Sequence, residues 1–164
     1  MKKAVVWVST VLYILTSLAI IGIVIAAITP RINSARDRAT IEQTILMLDS
    51  LDSKIQQASH AQGTRLNIEL KLSRGFLIID SGTEAIIWQL NNSFYKYSEP
   101  NIPINISNIQ VLTKPSNDKW NIELKLNYHG KLDLSSSISI LQPAEIPYKL
   151  WIENKGNIIE ISIA

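Results

Sequence analysis

The hydrophobic pattern of the chain changes twice, and the changes divide it into three parts. From Ala4 to Thr29 apolar residues run for 26 positions without a charge. As a helix, rising 1.5 Å per residue, such a run is about 39 Å long, enough to cross a hydrocarbon layer of roughly 30 Å with some tilt. From Ile41 the run gives way to a stripe. Ile41, Ile45, Leu48, Leu51 or Asp52, and Ile55 recur at steps of three and four, the spacing of an amphipathic helix. Leu46 and Met47 widen the apolar face, and Asp49, Asp52 and Lys54 are assigned to the polar side. After Gln62-Gly63-Thr64 the period falls to two. Leu66, Ile68, Leu70 and Leu72 alternate with Asn67, Glu69 and Lys71, the pattern of a half-buried strand.

Further strands are expected at Phe76–Asp80, Glu84–Leu90, Ile106–Thr113, Trp120–Tyr128, Lys131–Leu141, Lys149–Glu153 and Asn157–Ile163. Asn127-Tyr128-His129-Gly130 and Asn154-Lys155-Gly156 read as hairpin turns between them. The expected division is a basic start at 1–3, a transmembrane helix at 4–29, its amphipathic continuation at 30–60 and a β-rich head at 64–164. The fold class is α+β: a long N-terminal helix packed on a small antiparallel β-sheet or β-sandwich. Ile41, Ile45, Leu48 and Ile55 are the residues expected to pack helix on head. Pro30 permits two forms, one helix bent at the proline or two helices hinged there. Asn67–Leu72 recurs letter for letter as Asn121–Leu126. With unlike flanks, this reads as convergence on a good alternating strand rather than duplication.

Composition sharpens the picture. The chain has 164 residues, 46% apolar and 18% charged, less charged than the ~25% of an average soluble domain. That excludes an intrinsically disordered tail. The net charge of +2 gives no basic excess of the nucleic-acid-binding kind. It divides as +4 over residues 1–38 (Lys2, Lys3, Arg31, Arg36 and Arg38 against Asp37) and −2 over the rest. The basic residues fall almost equally on the two sides of the apolar run, so the positive-inside rule does not orient it. A removed signal peptide is the competing reading of the N-terminus. The apolar run exceeds the 7–15 residues of such a peptide, and a retained membrane helix is preferred.

Candidate chemistry is sparse. There is no cysteine, which excludes disulfides, thiolate metal sites and cysteine nucleophiles. His60 and His129 have no metal-ligand spacing and read as solvated turn residues. No phosphate loop or serine elbow occurs, and Ser135-Ser136-Ser137 reads as an edge strand. Ile78-Ile79-Asp80-Ser81-Gly82-Thr83 resembles the aspartic-protease signature. That chemistry needs two aspartates sharing a proton, hence a homodimer, and the later glycine-containing element is missing. Asp-Ser-Gly-Thr is also good turn chemistry, the preferred reading. The aromatic residues of the β-region are assigned to packing, with a sugar-binding face as the alternative. No catalytic residue, cofactor or metal is expected.

The order of parts resembles the type IV pilin superfamily, and the archaeal pilin-like proteins in particular. Lys3-Ala4-Val5-Val6 is similar to the site cut by archaeal prepilin peptidases, with cleavage between Ala4 and Val5. Bacterial pilins carry an early glutamate in the mature helix. Ser9 stands there in this chain, and the first acid is Asp37. The resemblance implies a cytoplasmic N-terminus, an extracellular head, the lipid bilayer and a prepilin peptidase as partners, and self-association or contact with other pilin-like subunits through the helix. Such a protein is a filament subunit or minor pseudopilin, and no enzyme. Asn91-Asn92-Ser93 and Asn105-Ile106-Ser107 would then be glycosylation acceptors at Asn91 and Asn105. The alternative function is a single-span anchored extracellular binding module that does not polymerise.

Overall fold

The computed structural model describes residues 2–164; Met1 and the side chains of residues 2–6 and 8 lie outside the described residues. One helix, α1, runs unbroken from Lys2 to Ser59 and includes Pro30. Proline removes its own N–H from the ladder and crowds the Ala26 carbonyl four residues back, and the helix continues on both sides of it. Thr16 and Thr29 return their hydroxyls to the carbonyls of Leu12 and Ile25, both at 2.7 Å. This back-bonding satisfies those two hydroxyls within the apolar half.

Ten strands follow: β1 (Arg65–Leu70), β2 (Phe76–Asp80), β3 (Ala85–Ser93), β4 (Ile104–Ile106), β5 (Ile109–Ser116), β6 (Lys119–Asn127), β7 (Asp133–Ser136), β8 (Ile140–Leu141), β9 (Tyr148–Asn154) and β10 (Ile158–Ile163). They form two sheets, one ordered β1-β9-β10-β7 and one ordered β4-β5-β6-β3-β2-β8. The pairing is antiparallel except between β7 and β10, which run parallel. The second half of α1 packs against β1, β9 and β10 of the first sheet and β5 and β6 of the second. The architecture is therefore α+β, with the helix serving as part of the core of a two-sheet head.

Several expected strands differ in extent. The first ends at Leu70 rather than Leu72. The stretch expected to begin at Ile106 is a tight hairpin, β4–β5, turning at Ser107-Asn108 with Ser107 at φ +54°. The single strand expected over Lys131–Leu141 is two short strands belonging to different sheets. Asn127–Gly130 is no hairpin: the chain leaves β6 and crosses to β7 in the other sheet. The physical reason is Tyr128, which is buried rather than exposed at a turn tip. The two copies of the Asn-Ile-Glu-Leu-Lys-Leu sequence also play different parts. The first supplies the edge strand β1 and the second the interior strand β6.

The strand alternation sorts side chains between faces. Leu150 and Ile152 of β9 face inward with Ile159 and Ile161 of β10. Trp88, Ile86 and Leu90 of β3 meet Leu124, Leu126 and Ile122 of β6 across the other sheet. Trp88 also forces a glycine. Gly75 has φ +72°, and a Cβ there would sit 2.5 Å from the Gln89 carbonyl oxygen and 2.8 Å from the Trp88 ring. Only glycine fits this approach, which lets the Trp88 indole N–H donate to the Arg74 carbonyl at 3.1 Å.

Candidate functional site: the helix and its junction with the head

The described side chains of the first half of α1 are exposed all round, from Trp7 to Ile32, apart from Val8, which lies outside the described residues. This half is long and apolar enough to cross a membrane. Ile41, Ile45, Leu48, Leu51, Ile55 and Ala58 are buried against the sheets. Each large apolar side chain so buried is worth roughly 1.5–3 kcal/mol. One helix therefore presents an unpartnered apolar surface at one end and forms core at the other.

A seam runs along the exposed side. Trp7, Val11, Ile14, Leu18, Ile21, Ile25, Ile28, Ile32, Ala35, Ala39 and, after Glu42, Leu46 recur in alternating steps of four and three. All are exposed, Trp7 at 76% and Leu46 at 70%. Within the apolar run any such series would be apolar. Beyond Pro30 it is selective: Ile32, Ala35, Ala39 and Leu46 continue it among arginines, acids and amides. The buried stripe Asp37, Ile41, Thr44, Leu48, Leu51, Ile55 has the same spacing. At about 100° per residue, a position two residues on lies about 200° round the helix. Seam and core stripe thus occupy opposite sides. The 4-3 repeat is that of helices that pack along their length on other helices.

Two buried carboxylates fasten α1 to the head. Asp37 is fully buried and accepts from the Arg74 guanidinium and, at 2.7 Å, from the Phe94 backbone N–H. Asp52 was assigned to the polar side from its spacing, and that assignment is corrected: it is 5% exposed. It accepts from the Tyr128 hydroxyl and the Asn108 side-chain amide, both at 2.7 Å. Burial and the hydrogen bond to Asp52 push the Tyr128 phenol well above its ordinary pKa. A third tie caps the helix. The Asn154 side-chain amide donates to the carbonyls of Ala58 and Ser59 at 2.9 and 3.3 Å, satisfying carbonyls that a helix end leaves without partners.

Sequence reasoning missed these three ties because their partners are remote in the chain. One signal did exist: Asp37 and Asp52 fall on, or one residue from, the 4-3 register of the core stripe.

The candidate chemical residues are dispersed. Asp80 closes its own turn, accepting from the Gly82 N–H at 2.9 Å and the Thr83 hydroxyl at 2.6 Å. The Thr83 bond, then the Gly82 and Thr83 backbone N–H groups, holds its carboxyl below the usual range. His129 is exposed and lies 3.1 Å from the Glu84 carboxylate, and His60 is exposed at the helix end. No group of three metal-ligating side chains of histidine, aspartate or glutamate comes together among the described residues. Ser135 and Ser136 belong to β7, at the edge of its sheet. Asn91 and Asn105 are both exposed, on β3 and β4. The Ser93 hydroxyl of the first sequon is buried and donates to the Tyr95 carbonyl. The side chains of Lys3, Ala4, Val5 and Val6 lie outside the described residues. No family model, curated protein or solved structure matches this chain.

Proposed function

We propose that this chain is a non-enzymatic, membrane-anchored surface protein of the type IV pilin-like class, a filament subunit or minor pseudopilin. The N-terminus lies in the cytoplasm and the head outside, after a prepilin peptidase cuts between Ala4 and Val5. The carrying observation is the exposed seam that continues past the apolar run to Leu46 on the side of α1 opposite the core stripe. A simple anchor needs an apolar surface only as far as the lipid reaches. A helix that packs lengthwise on copies of itself needs one that goes on beside the head. Ala35 and Ala39 support this reading, because small side chains let helices approach closely. The all-round apolar surface before Pro30 suits a helix that is first surrounded by lipid and then by other helices. A filament further requires that such contacts be head-to-tail and not close on themselves.

N-terminal sequencing of membrane-extracted protein tests the processing step. The expected product begins at Val5, whereas an intact Met1-Lys2-Lys3 argues for a plain anchored binding module. Electron microscopy of material sheared from the cell surface tests polymerisation. Filaments lost on Ala39→Glu, with the anchored chain still present in the membrane, are the expected result. Filaments that persist in that variant overturn the role given to the seam.

A further inference from the structure

The turn of α1 just past the apolar run carries a second surface, formed with the loop after β3. On one side of the helix an open groove of about 480 Å³ is lined by Asn33, Arg36, Ala39, Thr40, Arg74 and Phe94, with the buried Asp37 at its base. On another side a groove of about 430 Å³ is lined by Pro30, Arg31, Ser34, Ala35, Arg38 and Tyr95, so the seam borders both grooves, at Ala39 and at Ala35. The acids at this level are already engaged. Asp37 is paired with Arg74, and Glu42 lies 2.8 Å from Arg38. Arg31 and Arg36 have no ion pair among the described residues and are exposed. The grooves therefore present uncompensated guanidinium groups.

Aromatic rings accompany them. The Arg38 guanidinium lies 5.8 Å from the centre of the Tyr95 ring, and the Lys119 ammonium lies 4.4 Å from that of Phe94. Phe94 is exposed although it is large and apolar. Cations beside an amphipathic ring, here Tyr95, are the composition of a membrane–water interface. The position agrees. Trp7 and Pro30 are about 35 Å apart along a helix, and Tyr95 lines the same groove as Pro30, so an aromatic group stands near each edge of a bilayer core. Arg31 lies about 3 Å and Arg36 about 10 Å beyond Thr29, against a headgroup layer about 5–8 Å thick. Helical side chains lean toward the N-terminus, which here is toward the lipid. The long arginine stem closes the remaining distance.

We infer that these two grooves are a binding site for the phosphate of anionic lipid headgroups in the leaflet facing the head, with Arg31 and Arg36 as the principal ligands. Guanidinium binds phosphate oxygens in pairs. Arg38 and Arg74 are positioning residues, because each is held by a carboxylate, and Phe94 and Tyr95 form the interfacial rim. The inference rests on the membrane-anchored reading above and adds to it a chemical partner for the junction. The site fixes the depth of the head, since moving it outward pulls the arginines from the phosphates.

The full-length chain in membranes containing phosphatidylglycerol, extracted into mild detergent, tests this by native mass spectrometry. Retained phosphatidylglycerol is expected on the wild type. It should fall about fivefold for each of Arg31→Gln and Arg36→Gln, and roughly thirtyfold in the pair. Lys125→Gln/Lys131→Gln, away from the junction, should retain lipid as the wild type does, and added inorganic phosphate should not displace it. Equal retention by the wild type and the arginine pair overturns the site. Displacement by inorganic phosphate also overturns it, by assigning the grooves to a free anion. Alkaline carbonate washing separates the two levels of failure. A chain released by carbonate is not membrane-anchored, and both readings fall. A chain that stays in the membrane without lipid preference removes the headgroup site alone.

Discussion

Replacing Tyr128 by Phe isolates the tie between α1 and the head. The substitution keeps the ring, which is 2% exposed, and removes only the hydroxyl that donates to Asp52 at 2.7 Å. Asp52 then remains buried with the Asn108 amide as its one hydrogen-bond donor from another element. A hydrogen bond to a charged group contributes ~1.5–3 kcal/mol, and the burial leaves the abandoned oxygen no cheap replacement. The expected loss is about 2 kcal/mol. At ~4 °C per kcal/mol for a folded unit of this size, the melting temperature should fall by about 8 °C. The assay is thermal unfolding of the full chain in detergent, followed by near-ultraviolet circular dichroism of the head tryptophans. Tyr148→Phe is the control, because its hydroxyl donates to the exposed Gln142 carbonyl and its removal should cost under ~0.5 kcal/mol. High pH supplies a second arm. The folded-state phenol of Tyr128 titrates above the ordinary value of 10.0. Its contribution is therefore complete below pH 10 and is lost as pH rises beyond it. The alkaline fall in stability should be smaller in Tyr128→Phe. Tyr97, raised mainly by its own burial, retains part of that fall in both proteins. A variant as stable as the wild type, or no more affected than Tyr148→Phe, would refute the reasoning.

Other substitutions test the helix from its two sides. Leu48→Ala empties a fully buried position and should cost about 2–5 kcal/mol, read as a lower urea midpoint. Leu46→Ala, at a site 70% exposed, should change the unfolding free energy by less than ~0.5 kcal/mol. The same change would weaken assembly if the seam packs on other copies, a contrast that chemical crosslinking measures. Gly75→Ala places a methyl group 2.5 Å from the Gln89 carbonyl oxygen at φ +72°, and limited proteolysis should show the β1–β2 connection opened. A Gly75→Ala protein with wild-type melting and protease resistance would show that the backbone there relaxes freely.

The extent of α1 was legible because helix and strand have different periods, and the change of period after Gln62 is sharp. The α+β class followed from the same contrast. Sheet membership was not legible. Asn127–Gly130 reads as a hairpin turn in sequence, yet it lies on a connection between the two sheets, as Gly75 does. Local turn chemistry is the same whether the next strand pairs beside the last or in the other layer. The buried carboxylates were hidden for a related reason. Asp52 reads as a polar-side residue unless Tyr128, 76 positions away, is known to reach it. Among the candidate chemical residues, Asp80 is held in its own turn by local bonds, which is why that turn was legible in four adjacent letters.

Because α1 is apolar span and core in one piece, rotation of the head is geared to the rotation of the apolar segment. There is no slack coil between them to absorb a change of phase. One residue inserted between Pro30 and Arg36 would turn the seam about 100° relative to the core stripe and lift the head about 1.5 Å. Three or four would nearly restore the phase while raising the head by about a turn. The length of this short stretch is thus a setting of angle as much as of height, and insertions there should be tolerated by period rather than by size.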